Sequence, residues 1–443
     1  MDKKVYIETY GCQMNLADSE TVAGIMLAKD YSGVKEINEA DVILINTCSV
    51  RDNAEQKIWN RLNHIKSLKK KNKNLKVGII GCMAQRIGEK LLEHQAVDFV
   101  AGPDAYRSLP ELIMETDIDL KPKNLNFDIN ETYSGIEQIK QSENNISGFV
   151  AITRGCNNFC SYCIVPYTRG RERSSNYLDI IKEVKNLEKQ NFKEITLLGQ
   201  NVNSYYFEDK NLKVDFPKLM EMLAQTVPNM RIRFTTSHPK DLSDDLIDVM
   251  AKYKNICKHI HLAVQSGSNK ILEKMNRKYT REWYLNRIEA IKSRIPNCAL
   301  SSDIFCGFSG ETEEDFQETL SLMQIVEYDL AFMFKYSERP GTHAAKHLDD
   351  NVPEDVKKER LARMIKLQNK ISLKKNKEDI GKIFEVLVEG KSKRSESMLY
   401  GRTEQNKVVV FDAGNAKQGD FVNVKILEVS SATLKGEILV ESL

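Results

Sequence analysis

The chain predicts an α/β protein built in three parts: a doubly wound parallel sheet, a partial six-fold βα barrel and a small all-β barrel. Three changes of texture along the sequence carry that reading. Short apolar runs alternate with helical periods up to about Thr116, and a second βα series begins at Gly148. From Lys382 onward the runs become closely spaced strands separated by Gly, Asn and Asp turns. Alternation of strand and helix indicates a parallel sheet, whereas crowded strands indicate a barrel.

In the first part, VYIETYGC, DVILINTC and KVGIIGC each read as a buried strand ending in a polar turn. Helical patterns run over Ala17–Lys29 and Asn53–Lys70 between them. Residues 117–147 are polar and Asn-rich without periodicity, which predicts a connecting stretch. The second series has six strand candidates: FVAITRGC, EITLLGQNV, RIRFTTSH, HIHLAVQSG, ALSSDIFCG and AFMFKYS. Leu178–Lys189, Phe216–Thr226 and Glu313–Val326 are helical patterns between them. Six repeats suggest an open barrel, whose site lies at the carboxyl ends of its strands. Val352–Lys377 reads as a basic amphipathic helix with a stripe at Leu361, Ile365, Gln368 and Ile371. The last part contains KIFEVLVEG, KVVVF, FVNVKILEV and LKGEIL. The predicted divisions are 1–116, 117–147, 148–378 and 379–443.

Composition narrows the class. The 443 residues carry a formal net charge of +2, so the chain as a whole is not an electrostatic nucleic-acid binder. The Lys-rich runs Lys66–Lys76 and Lys357–Lys377 read first as solvated helix faces. No apolar run reaches the length of about 18 residues that a membrane span needs. The start, MDKKVYIETY, lacks the apolar core of a signal peptide, and the expected setting is cytoplasmic. Nine cysteines without a secretion signal point to metal, cluster or catalytic chemistry rather than disulfides.

Arg154–Gly170 reads RGCNNFCSYCIVPYTRG. Its cysteines, Cys156, Cys160 and Cys163, are spaced C-x3-C-x2-C directly after the first strand of the barrel series. Three thiolates this close can ligate three irons of one cluster and leave the fourth open to a substrate. Structural zinc prefers four ligands, and no further Cys or His lies nearby. Cys257, Cys298 and Cys306 read as packing thiols.

A second set, Cys12, Cys48 and Cys82, is scattered in sequence but alike in context: YGCQMN, NTCSV and GCMAQ. Each follows a buried strand, and such ends share one edge of a parallel sheet. Three thiols in equivalent places suggest a shared site. By themselves they are compatible with iron–sulfur or with zinc completed by an outside ligand.

The first motif resembles that of the radical S-adenosylmethionine (SAM) superfamily. The whole chain, with all six cysteines in place, resembles the methylthiotransferases. Their plan is an N-terminal auxiliary-cluster domain, a radical SAM barrel and a C-terminal TRAM barrel. Within them the likeness is to the tRNA branch acting on isopentenyladenosine, carried by NNFCSYCIVPYTRGRERS, LLGQNVNSY, FTTSHPKD and LAVQSGSNKILEKMNRKYTR. The resemblance implies two [4Fe-4S] clusters and SAM. The Cys156/Cys160/Cys163 cluster would cleave SAM to a 5′-deoxyadenosyl radical, and the Cys12/Cys48/Cys82 cluster would carry sulfur. Carbon 2 of an isopentenyladenosine beside the anticodon would then receive a methylthio group. Other branches act on threonylcarbamoyl-tRNA or a ribosomal-protein aspartate, and a metal-binding RNA protein without catalysis is an alternative of another class.

The same resemblance places Tyr162 beside the SAM adenine and puts Gly199, Gln200, Gln265, Ser266 and Asp303 at SAM-binding strand ends. The motif around Asp303 departs from the usual pattern at Ser309, where Pro is common, and at Cys306. Lys391, Lys393, Arg394, Arg402 and Lys407 are candidate phosphate contacts and Tyr400 a candidate stacking partner for RNA. The partners implied are the tRNA anticodon stem-loop, an electron donor and a sulfur source. The chain is expected to act as a monomer, away from membranes.

Overall fold

Strands β3 (Val42–Thr47) and β4 (Lys76–Gly81) are buried along almost their whole length, as strands covered on both faces must be. They lie at the centre of a six-stranded parallel sheet in a computed structural model. The structure describes residues 3–49, 52–118, 120–140, 146–209, 212–393, 395 and 397–439, the side chains of 52–54 excepted. It divides into two units: Met1–Gln141 with Ala151–Asn157 and Ile164–Asp179, and Ser142–Val150 with Asn158–Cys163 and Ile180–Leu443.

In the first unit, β1 is Lys3–Tyr10, β2 Tyr31–Gly33, β5 Phe99–Ala101 and β6 Lys123–Asn124. The sheet order is β2-β1-β3-β4-β5-β6. The order reverses between β1 and β3, the switch point where doubly wound sheets bind ligands. Helices α1 (Gln13–Leu27), α2 (Asp52–Lys71) and α3 (Cys82–Leu92) follow β1, β3 and β4. Two apolar clusters form the core of this unit, one around Val22, Leu44 and Tyr106, the other around Ile45, Leu62 and Val77. The segment expected as a connection is built into the unit. It supplies β6, parallel to β5, and the buried Tyr133, whose hydroxyl donates to the Pro103 carbonyl.

Strand β7 (Ser147–Ala151) opens the barrel series, and β8 (Thr153–Arg154) and β9 (Arg173–Ser174) pair antiparallel in the first unit. In the second unit β10 is Glu194–Leu198, followed by a hairpin of β11 (Tyr206–Glu208) and β12 (Lys213–Asp215). Then come β13 (Arg231–Thr235), β14 (His259–His261), β15 (Ala299–Cys306) and β16 (Leu330–Lys335). Strand β10 lies between β7 and β13, and β15 lies between β14 and β16. Two parallel bridges, Ile232 to Ile256 and Ser237 to Leu262, join the halves. The six expected strands therefore stand in sequential order as an open barrel.

The helix Glu354–Lys377 packs with Lys357, Arg360, Met364, Gln368 and Ile371 inward, and Ile365 is 41% exposed. The expected stripe is thus rotated. Polar members of the buried face are tolerated because each is bonded: Lys357 to Asp350, Arg360 to Glu311, Gln368 to the Tyr328 carbonyl. Beyond it, β17 (Ile383–Lys391), β18 (Met398–Thr403), β19 (Val408–Asp412), β20 (Phe421–Val429) and β21 (Leu434–Ile438) close a five-stranded barrel. Its core is Val386, Val388, Val409, Phe411, Val424 and Ile426. Arg231 and Arg233, two residues apart on β13, anchor it. Arg231 donates to the carbonyls of Arg402 and Glu385, and Arg233 to those of Glu404 and Thr403.

Candidate active site

Sheet register brings the scattered cysteines together. Tyr10 of β1 pairs with Thr47 of β3, which pairs with Gly81 of β4. Cys12, Cys48 and Cys82 follow those residues within two positions on three adjacent strands, roughly 5 Å apart from strand to strand. Cys12 also begins α1, and its amide donates to Asn15 Oδ1 at 3.2 Å. Gly81 has φ of 91°, and a Cβ there would overlap Asn46, so glycine lets the chain turn tightly into Cys82. Cys12 is held at about 5, chiefly by a hydrogen bond from Cys48, with the Arg169 cation also favouring its thiolate. Burial raises the Cys82 thiol, against the pull of Arg169. Arg169 Nε donates to Cys82 Sγ at 3.1 Å.

Behind Cys82 lies a buried ion cluster that sequence reasoning missed. Asp18 Oδ2 accepts from Arg169 Nη2 at 2.7 Å, and Asp18 Oδ1 pairs with Arg154 Nη1 at 2.9 Å. Asp18 is fully buried, and both arginine side chains are 4% exposed. Burial acts against the Asp18 charge, but the two guanidiniums outweigh it and keep the carboxyl below its usual range. Tyr106 hydroxyl donates to Asp18 Oδ2, and Arg154 stacks 4.5 Å from the Tyr133 ring centre.

In the first unit, Cys156 follows Gly155, whose φ is 72°, and a Cβ on Gly155 would overlap the Arg171 carbonyl. In the second unit, the Cys163 amide donates to the Cys160 carbonyl at 2.9 Å, and Arg277 Nη1 donates to Cys160 Sγ at 3.2 Å. Arg277 is held in turn by the Ala263 carbonyl and the Tyr279 hydroxyl. Tyr162 packs edge-on to Phe305 with ring centres 5.0 Å apart. Among the described residues, no three His, Cys, Asp or Glu side chains close on a single metal ion.

The strand ends of the second unit carry polar atoms with no protein partner. Gln200 Oε1, Asn203 Nδ2, His238 Nε2 and Gln265 Oε1 are all buried and unbonded. Each such group costs about 1–3 kcal/mol unless a ligand satisfies it. Gln265 also holds a left-handed backbone, φ 71°, which costs roughly 1–2 kcal/mol outside glycine. Its amide and carbonyl are pinned to Asp303 and Phe305. These atoms and the cysteine donors suit SAM and an iron–sulfur cluster. Gly199 lies beside them, its amide on the Thr235 carbonyl. Asp303 sits 3.5 Å from His261 Nε2. Ser266 is occupied otherwise, fully buried against Thr319 and the Ser268 amide. Asn203, His238 and Arg277 lay inside the quoted motifs, but nothing in their spacing marked them.

Burial pushes Cys257 up to about 11 and Cys298 and Cys306 up to about 12, as inert packing thiols require. On the terminal barrel, Lys391 and Lys393 are exposed and Tyr400 is half-buried. Arg402 pairs with Glu389 at 3.2 Å, and Lys407 with Asp379 at 2.6 Å and Asp329 at 3.3 Å. Arg394 lies outside the described residues.

A cysteine triad placed after the first strand of an open parallel barrel, with unpaired polar atoms at the later strand ends, defines a radical SAM protein. The family descriptions that match are the radical SAM superfamily over residues 150–323, the TRAM domain over 377–439, and "uncharacterized protein family UPF0004" over 4–102. The tRNA-2-methylthio-N(6)-dimethylallyladenosine synthase of Bacteroides thetaiotaomicron is 60% identical over 98% of this chain and 96% of its own length. The protein of the same name from Bacteroides fragilis is 59% identical with the same coverage. The chain belongs to this tRNA methylthiotransferase family. A radical SAM methyltransferase from Kitasatospora setae, TsrM, shares the fold with a TM-score of 0.60 at 12% identity, over 78% of this chain and 77% of that one.

Proposed function

We infer that this chain adds a methylthio group to carbon 2 of an isopentenyladenosine next to the anticodon of tRNA, using a second iron–sulfur cluster on Cys12, Cys48 and Cys82. The observation that carries this is the alignment of those three cysteines on adjacent parallel strands, in a chain close to 60% identical to synthases named for that product. When bound, the clusters and SAM supply a carbon radical and transferable sulfur.

The chain's own part is to bind, orient and exclude water. Cys156, Cys160 and Cys163 would hold the radical-forming cluster, with Arg277 Nη1 donating to the Cys160 sulfur. Gln200, Asn203, His238 and Gln265 offer two acceptors and two donors to SAM, with Tyr162 as an aromatic wall. His238 Nδ1 accepts from the Lys240 amide, which leaves its Nε2 as an N–H donor. On the terminal barrel, Lys391 and Lys393 meet RNA phosphates and Tyr400 offers a stacking face. The anticodon loop suits such a site because its purines are already unpaired and can be extruded at low cost. Residues 1–116 would serve the sulfur-bearing cluster, 148–378 the radical chemistry and 379–443 the RNA. An electron donor and a sulfur source complete the system in a cytoplasmic setting.

The test is nucleoside mass spectrometry of tRNA from a deletion strain. The 2-methylthio-isopentenyl nucleoside should disappear and its unthiolated precursor accumulate. Loss of a threonylcarbamoyl derivative instead would assign the chain to another branch. In the purified, anaerobically reconstituted protein, changing Cys12, Cys48 and Cys82 to Ala should halve the iron per chain, and unchanged iron would refute the second cluster.

A further inference from the structure

The buried ion cluster behind Cys82 does not balance. Asp18 contributes one negative charge, and Arg154 and Arg169 contribute two positive ones. The neighbouring Arg173 is already paired with Asp104. One positive charge remains in a region where all three side chains are at most 4% exposed. An uncompensated buried charge is expensive, by several kcal/mol. Arg169 also keeps a buried Nη1 with no protein partner. Its Nε, however, points at Cys82 Sγ at 3.1 Å. The missing anion is therefore on the cysteine side.

Resting on the reading of Cys12, Cys48 and Cys82 as cluster ligands, we propose that Arg169 is a positioning residue that balances the charge of the auxiliary cluster and sets its reduction potential through the Cys82 sulfur. A cubane held by three thiolates is an anion, and it gains one more negative charge on reduction. A cation and an N–H donor at a ligand sulfur favour the reduced form, because hydrogen bonding to sulfur and net charge set such potentials. Asp18 fixes the guanidinium plane, leaving Nε aimed at sulfur. Arg154 shares Asp18 from its other side and is braced on Tyr133. With the cluster in place the balance closes: two cations against one carboxylate and one cluster anion. Asp18 and Arg169 are 151 positions apart, so this assembly also ties the start of α1 to the short helix Val165–Arg169.

The experiment uses full-length protein carrying Cys156→Ala, Cys160→Ala and Cys163→Ala, so that only the auxiliary cluster forms. Iron and sulfide are counted, and the midpoint potential is read by dithionite titration followed by electron paramagnetic resonance. Arg169→Gln should shift the potential to more negative values, and Arg169→Lys should shift it less, because the charge stays while the directed N–H is lost. If Arg169→Gln fails to fold or to bind iron, the Lys variant alone decides. Full iron content with an unchanged potential in the variant that folds would overturn the proposal. Failure of the triple-Ala background itself to bind iron would instead sink the second-cluster reading on which the proposal rests.

Discussion

Replacing Arg233 with Met should loosen the terminal barrel while leaving both cysteine sets untouched. Arg233 is 8% exposed, and its Nε donates to Glu194 Oε2 at 2.8 Å. Its other two nitrogens donate to the Glu404 and Thr403 carbonyls, at 3.0 and 2.6 Å. Without the guanidinium, the carboxylate of Glu194, itself 4% exposed, keeps among the described residues only a long 3.4 Å contact from Ser147. Breaking a buried pair from one side costs about 3–5 kcal/mol. The Thr403 carbonyl still accepts from the Asn406 amide, so only the Glu404 carbonyl loses a donor, worth about 1 kcal/mol more. The sum, about 5 kcal/mol, compares with the roughly 5–15 kcal/mol that hold a domain together. Hydrogen exchange of the β18 and β19 amides reads this as a fall in local opening free energy. Adding Glu194→Gln to Arg233→Met should restore most of it, because no charge is then left buried and unpaired. A loss below about 1 kcal/mol in the single variant would refute the anchoring argument.

Acidification should weaken the fold through two histidines. Burial is the first cause that holds His238 down to about 2 and His259 down to about 3. Both stay neutral in the folded chain, whereas the unfolded chain protonates near pH 6.5. Their contribution is thus complete above pH 6.5 and falls by about 1.4 kcal/mol per group per pH unit below it, and His238→Gln should flatten the pH dependence of thermal unfolding. Gly155→Ala should cost the Cys156/Cys160/Cys163 cluster, because the φ of 72° and the Arg171 carbonyl leave no room for a Cβ. Iron per chain should halve and 5′-deoxyadenosine formation cease, and full iron would argue against this role. Lys391→Ala with Lys393→Ala should reduce the slope of log affinity against log salt for an anticodon stem-loop by about 1.4, near 0.7 per single-strand phosphate contact. An unchanged slope would remove these lysines from the RNA surface.

Strand positions were legible because their signal is local. The apolar run VILINT, short, rich in branched residues and closed by a polar turn, reads as a strand covered on both faces, and β3 is buried throughout. The C-x3-C-x2-C spacing is likewise confined to eight residues. Helix α1 begins at Gln13 rather than at Ala17, because Cys12 with Asn15 caps it, a signal that a Cys does not normally send. Strand β18 escaped notice since MLYGRT has Gly and Arg where strands favour branched apolar residues. Strand β6 has two residues and no pattern, and its order comes from pairing with β5.

The sequence by itself determined the three-part α/β architecture and the C-x3-C-x2-C set, which are written in local period and spacing, while the scattered Cys12, Cys48 and Cys82 stood out by their like contexts at strand ends and the kinship with methylthiotransferases by the resemblance of whole motifs. Only the tertiary structure decided which charges meet. Arg154, Arg169, Arg231 and Arg233 read as ordinary basic residues, two of them inside strand RIRFT, yet all four are buried. A buried cation is stable only where distant partners converge on it, and the distance from Asp18 to Arg169 along the chain is closed by folding alone.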